Sequence, residues 1–274
     1  MTKVLVCSVP KSGTYFLGQI LARLGMRDTK LHIHLRSYTD YNDVDLETAR
    51  KKASELSVAE PIEKSLQRIR SGEFVVGHLP VNTAHLLHDF EIIFIYRNVR
   101  DILVSFCRWI AETGRWPDDG AWRQLPDGPD RLLGFLRNHH AKLRKMIDAS
   151  AAWRAQPRIT QVSFEELMGD HGAPAAVEAM RRIARASAHD GLRDGELLGL
   201  IEQAKGTETI TRSAGRSIRA TFWNEAVERE FVRRGFAAIN TRLGFDEPAA
   251  TSWWGHWWAF RRAMTSVRFG RRAA

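Results

Sequence analysis

Cysteine is scarce in this 274-residue chain, which holds only Cys7 and Cys107. Two thiols cannot build a disulfide framework, which suggests a reducing, cytoplasmic setting. Long apolar runs are also missing: no stretch reaches the ~18 uninterrupted apolar residues of a membrane-spanning helix. The first apolar run, Val4 to Val9, meets Pro10-Lys11 and is too short for a signal peptide. Acidic residues are outnumbered, with 32 Asp+Glu against 41 Lys+Arg, a net charge of +9. The excess points to anionic partners: nucleic acid, an anionic membrane or a phosphorylated small molecule. Charge alone does not choose among them. With 44% hydrophobic and 27% charged residues, wholesale disorder and collagen-like repeats are excluded.

Strand and helix patterns alternate from the start. Val4-Leu5-Val6-Cys7-Ser8-Val9 reads as a buried strand. Phe16, Leu17, Ile20, Leu21 and Leu24 then recur at helical spacing, and Gly25 closes the helix. Residues 26–59 are mixed and polar, with a brief alternating segment at Leu31–Leu35. A helix follows from about Pro61 to Ile69, then short strands at Phe74–Val76 and Glu91–Tyr96. Asn98 and Asp101 resemble a capping box opening a helix that runs through Ile110. Gly and Pro mark 113–130 as a long loop. Beyond it come a helix at about 131–149, a strand at 158–163 and helices at about 173–187, 194–204 and 222–243. This alternation predicts an α/β fold: one three-layer domain, residues 1–248, with a central parallel β-sheet flanked by helices. No internal repeat is present.

Two of the strand-to-helix turns carry anion chemistry. Pro10-Lys11-Ser12-Gly13-Thr14 offers free N–H groups at a helix start, a cation, two hydroxyls and a glycine that allows close approach. A plain turn would look the same. It is not the phosphate loop of nucleotide hydrolases, which needs Gly, four residues, then Gly-Lys-Ser/Thr. The second turn, Tyr96-Arg97-Asn98-Val99-Arg100-Asp101, leaves the most apolar strand, and Ser105 lies one helical turn past Asp101. An Arg–Ser pair there can hold phosphate, although an Arg paired with a core carboxylate would look alike. Two such sites on neighbouring turns suggest a nucleotide bearing phosphates at both ends.

At this point the sequence resembles a known family. Ser8 to Thr14 looks like the 5′-phosphosulfate loop of sulfotransferases that use 3′-phosphoadenosine 5′-phosphosulfate (PAPS). Tyr96 to Ser105 looks like their 3′-phosphate segment. Gly77-His78-Leu79-Pro80 resembles the turn that carries the family's catalytic base. Val162 to Leu167 resembles the strand-end element near adenine. Arg212-Ser213-Ala214-Gly215-Arg216 resembles the loop that closes over the 3′-phosphate. The matches run in family order from about residue 4 to 245. The resemblance implies the family's P-loop-like fold, a metal-free transfer of SO₃ to a hydroxyl or amine, and a catalytic set of His78, Lys11 and Ser105. It implies PAPS contacts from Lys11, Ser12, Gly13, Thr14, Tyr15, Phe16, Arg97, Ser105, Phe164, Arg212, Ser213 and Gly215. Tyr15-Phe16 stand where the family often has Thr-Trp, so Tyr15 loses a hydroxyl contact to phosphate while Phe16 can stack on adenine. Phe164 replaces a Tyr, and Ile218 occupies a usual Trp position. The acceptor, whether small molecule, lipid or glycan, is not named by any motif.

Some features fall outside these motifs. His32 and His34 read as strand residues, one facing the acceptor pocket, rather than as a metal pair. His139-His140 reads as a solvated or partner-facing pair on a helix, and Cys107 as core. Residues 249–274 hold five Arg, four of the nine Trp and no acidic residue. They are either a terminal helix on the core or an anchor at an anionic membrane surface. Without that segment the net charge falls to +4. Rival readings are a nucleotide-dependent kinase or NTPase with a variant loop, and a non-enzymatic membrane-surface binding protein. With the nucleotide motifs in hand, nucleic acid is not needed to account for the charge.

Overall fold

The computed structural model describes residues 2–116, 120–208 and 218–245. The chain opens with β1 (Lys3–Ser8), α1 (Thr14–Arg23), β2 (Arg27–Ile33), β3 (Ser37–Asp40), α2 (Leu46–Lys51) and β4 (Ser57–Ala59). It continues through α3 (Ile62–Gln67), β5 (Glu73–Gly77), β6 (Phe90–Tyr96), α4 (Val99–Thr113), α5 (Pro129–Ala151) and β7 (Thr160–Ser163). It then runs through α6 (Phe164–Met168), α7 (Ala173–Ala186), α8 (Asp194–Ala204), α9 (Arg219–Phe222), α10 (Glu225–Arg233) and α11 (Phe236–Arg242). All of these lie in the first of two compact units, Met1–Leu243, the second being Gly244–Ala274.

Val4, Leu5, Val6 and Cys7 are wholly buried, as a strand covered on both faces must be. β1 accordingly lies inside a seven-stranded sheet of order β4-β3-β2-β5-β1-β6-β7. The five strands from β2 to β7 pair in parallel, as the alternation predicts. The sheet is nevertheless mixed, because β3 pairs antiparallel with β2 and β4 antiparallel with β3. These edge strands come from the polar stretch 26–59, where β4 is exposed throughout and carries no burial signal.

One face of the sheet presents Val4, Val6, Phe74, Val76, Ile93, Ile95 and Val162 to α1, α7 and α8 in a continuous core. The alternate residues Leu5, Cys7, Val75 and Phe94 are equally buried on the other face. There the indole of Trp153, just past α5, donates to the Leu79 carbonyl at 2.6 Å, and the Cys7 thiol donates to the same oxygen at 3.6 Å. α5 packs with α4, α10 and α11 in that second helical layer.

Three local expectations are corrected. Asp101 does not complete a capping box: Asn98 caps α4 by accepting from the Arg100 N–H at 3.0 Å, while its own N–H donates to Glu165 Oε1 at 2.9 Å. The stretch 113–130 is not all loop: Ala121–Gln124 form a 3₁₀ turn and α5 begins at Pro129. The expected helix at 222–243 is two helices, α10 and α11, beginning after α9 ends at Phe222. Asn224 starts α10 by accepting from the Val227 N–H, and Gly235, at φ 78, breaks the chain before α11.

The sheet register matters most for function. Cys7 pairs with Gly77, and Gly77 with Ile33, so the carboxyl ends of β1, β5 and β2 lie side by side. A Cβ on Gly77 would stand 2.8 Å from the Ile33 carbonyl oxygen, too close for any larger residue without moving backbone. Glycine lets these strand ends close up and fixes where the next residue, His78, emerges.

Candidate active site

The turn after β1 is built from two left-handed residues, Lys11 at φ 68 and Gly13 at φ 97. A Cβ on Gly13 would fall 2.5 Å from the Phe164 ring, so only glycine fits. Gly13 caps α1 with no side chain, which leaves the first N–H groups of the helix directed into the turn. They lie at the positive end of the helix dipole. The Ser12 hydroxyl is buried there without a hydrogen-bond partner. A buried hydroxyl with no partner is costly, and a bound anion oxygen would satisfy it.

His78 is tied to this turn. Its Nδ1 lies 2.9 Å from Ser8 Oγ and 3.2 Å from the Ser8 carbonyl oxygen, and Ser8 Oγ lies 2.7 Å from Thr14 Oγ1. A carbonyl only accepts, so the bond to it places the imidazole proton on Nδ1 and leaves the lone pair on Nε2. Burial, with the nearby His34, lowers the His78 pKa to about 3, so the ring is neutral at physiological pH. A neutral imidazole with Nε2 unprotonated can take a proton.

The Lys11 ammonium lies 4.5 Å over the ring of Trp109, on α4. Burial lowers its pKa to about 7; Glu112 opposes that shift and the Arg115 guanidinium adds to it. Arg115 also sits on Trp109, 4.9 Å from its ring, and donates to the Arg50 carbonyl at 3.2 Å. Sequence pattern alone does not single out Trp109 or Arg115. Trp109 is, however, four residues past Ser105 and hence on the same helical face, which is the one signal pointing to it.

At the end of β6, Arg97 lies with its guanidinium 4.3 Å over the Phe164 ring and only a loose 4.0 Å approach to Asp101. Its Nε is buried and has no hydrogen-bond partner. Ser105 is half-buried on α4. Glu165, whose carboxyl burial pushes upward, keeps Oε2 buried and unpartnered beside this group. The two anion turns therefore flank Phe164, whose ring touches Gly13 from one and Arg97 from the other.

Phe16 is 3% exposed and packs edge-on against Phe164, so its ring belongs to the core. Tyr15 turns away from the loop: its hydroxyl bonds His32 Nδ1 at 2.8 Å, and its ring meets Tyr41 edge-on. His32 lies on β2, and His34 just past its end stacks on it with ring centres 4.7 Å apart. His32 meets His78 edge-to-face at the same distance. His139 and His140 are not a solvated pair. His139 packs among Trp116, Trp122 and Phe135, and His140 Nε2 accepts from Arg234 at 2.7 Å. Cys107 is buried, in keeping with core. Arg212, Ser213 and Gly215 lie outside the described residues, as does 249–274. No group of three His, Cys, Asp or Glu among the described residues is arranged to hold a metal ion.

The sulfotransferase domain family matches residues 1–176, more than half of the chain, and the chain belongs to that family. Its fold is that of solved sulfotransferases. The structure of mouse sulfotransferase SULT7A1 complexed with PAP superposes with a TM-score of 0.55 at 15% identity, covering 89% of this chain and 88% of that one. A retinol dehydratase in complex with androsterone and inactive cofactor PAP gives 0.51 at 14% identity, covering 88% and 80%. None of the curated protein sequences matches the chain.

The histidines grouped here, wholly or partly buried, make a prediction about acid. Burial pushes His32, His34 and His78 below the ordinary imidazole value. Below about pH 6.5 the unfolded chain takes up protons that the folded one refuses, so stability falls as pH drops. The melting temperature of the wild type should fall further between pH 7.5 and 5.0 than that of His78→Asn, by about 4 °C. Equal falls would contradict a neutral, buried His78.

Proposed function

We propose that this protein transfers a sulfuryl group from PAPS to a hydroxyl or amine of an acceptor, with His78 as general base. One observation carries the reading: the candidate base and the anion turn share Ser8, which bonds both the imidazole and Thr14. A base and a phosphosulfate cradle held by one residue are what in-line transfer requires. The orphaned Ser12 hydroxyl and Arg97 Nε fit the two charged ends of such a nucleotide. Both similar solved structures hold PAP, the nucleotide left when PAPS loses its sulfuryl group.

When bound, PAPS supplies an activated S–O bond to a good phosphate leaving group. His78 Nε2 takes the proton of the acceptor hydroxyl as its oxygen forms the new bond to sulfur. Lys11, Ser12 and the first N–H groups of α1, with Gly13 and Thr14, stabilise the charge that collects on the departing phosphate oxygen. Ser105 shares Lys11 and the 3′-phosphate. Arg97 holds the 3′-phosphate together with Arg212, Ser213 and Gly215. Phe164 forms the wall between the two anion sites and meets the adenine. Tyr15 and Phe16 contribute backbone and shape, since their side chains face His32 and the core.

Adenosine 3′,5′-bisphosphate should raise the melting temperature of the wild type without added metal, and ATP with Mg²⁺ should not. His78→Ala should keep that shift and lose transfer from PAPS by at least a hundredfold. Retained transfer would remove His78 from the base role.

Lys11 makes a second test available. Free, its pKa is about 7; a bound anion raises it. Binding of the bisphosphate at pH 8 should therefore take up close to one proton, measured by calorimetry in buffers of different ionisation enthalpy. Lys11→Met should abolish the uptake, and identical uptake in the variant would refute the assignment.

We further propose that residues 249–274, with their Trp and Arg, attach the protein peripherally to an anionic membrane surface, the inner face of the cell membrane. No helix among the described residues is long and apolar enough to cross a membrane. The full chain should co-sediment with anionic vesicles and lose at least tenfold in affinity when 249–274 are deleted; equal sedimentation would end the idea.

A further inference from the structure

His32 is left over from the mechanism. Its side chain is 5% exposed, and its Nε2 is buried with no hydrogen-bond partner. The other ring nitrogen is occupied, bonded to Tyr15 at 2.8 Å. Burial, with His78, His34 and Arg115 adding to it, keeps the ring neutral. A neutral imidazole fixed at one nitrogen presents a single hydrogen-bonding atom at the other. Protein interiors leave few such atoms unpaired, and an unpaired one beside a reaction centre marks a ligand contact.

The place of that atom defines the ligand. The His32 ring centre lies 4.7 Å from that of His78, in an edge-to-face contact. Hydroxyls on neighbouring carbons have oxygens roughly 3 Å apart, a spacing that suits two imidazoles whose centres are this close. The half-exposed His34 stacks on His32, and Tyr15 backs it, with Tyr41 against Tyr15. The charge of Arg115 reaches Lys11, Tyr15, His32 and Tyr41 alike. The side chains grouped around His32 Nε2 thus include imidazole, phenol and guanidinium, with Tyr15 also packed on the apolar core behind it. An alcohol with a single hydroxyl would leave Nε2 without a hydrogen bond, and an acceptor with a second hydroxyl would supply one.

We propose that His32 Nε2 binds a second hydroxyl of the acceptor, adjacent to the one that receives the sulfuryl group, and that the acceptor is therefore a polyhydroxyl compound of the carbohydrate type. The inference rests on the sulfotransferase reading above and narrows it. Nε2 is buried in the free protein, so binding requires side-chain movement of the kind that commonly accompanies it. His32 is a binding residue, and the proton still leaves through His78.

The test uses the full chain with PAPS carrying labelled sulfur, and acceptors that differ by one hydroxyl. These are cyclohexanol, cis-1,2-cyclohexanediol and methyl β-glucopyranoside, with phenol as the apolar aromatic control. Wild-type kcat/KM should favour the diol over cyclohexanol by at least tenfold, and the glucoside should be a substrate. His32→Phe should bring the diol down to the cyclohexanol level, chiefly through KM, while His32→Gln should restore part of the preference. The melting-temperature shift with adenosine 3′,5′-bisphosphate, equal in all three proteins, shows that fold and nucleotide site are intact. Absence of that shift in the wild type strikes at the sulfotransferase reading itself. With the shift present, the proposal is overturned by equal use of cyclohexanol and the diol, by a preference that survives His32→Phe, or by transfer confined to phenol. It is overturned equally by failure to turn over either polyhydroxyl acceptor.

Discussion

The hydrogen bonds from His78 Nδ1 to Ser8 join two strand ends that the rest of the site is built around. β1 and β5 are neighbours in the sheet, with Cys7 beside Gly77, so the residues that follow them emerge together. Ser8 continues into the anion turn, and His78 continues into a turn locked from behind by Trp153 on the Leu79 carbonyl. One serine therefore sets the tautomer of His78, its distance from the Lys-Ser-Gly-Thr turn and, through Thr14, the start of α1. Loosening this contact would alter all three at once.

The same strand ends account for the cluster of imidazoles. β2 lies on the other side of β5, and Ile33 pairs with Gly77 so closely that its carbonyl excludes any side chain there. His32 is thereby drawn against His78, and His34, two residues on, falls on the same side. Parallel strands place their ends in a row, and here the row reads Ser8, His78, His32. On the far side β6 and β7 contribute Arg97 and, at the start of α6, Phe164, which separates the two anion turns.

Much of this frame is written in local pattern. A short apolar run followed by Lys-Ser-Gly-Thr and a helical repeat specifies strand, turn and helix with little help from the rest of the chain. The same holds for the run that ends at Arg97. The mixed edge of the sheet was not legible, because Ser37-Tyr38-Thr39-Asp40 and Ser57-Val58-Ala59 are short, and β4 buries nothing. Residues whose partners come from distant segments were misread or missed. His139 sits on a helix with a polar face, and only the return of Trp116 and Trp122 makes it interior. Tyr15 could be placed in the turn but not aimed, since its hydroxyl partner, His32, lies 17 residues further on another strand.

Lys11 rests on the indole of Trp109 in a pocket dry enough to bring its pKa to about 7. Near neutral pH, about half of the free molecules then carry no charge at that position. Small inorganic anions, which bring little binding energy of their own, meet a muted site. A nucleotide anchored at both ends, as proposed above, would hold its negative charge beside the amine and raise its pKa, so that it takes a proton from solvent. On that reading the lysine's charge would work as a form of selectivity, summoned by the ligand that merits it rather than displayed to every anion in solution.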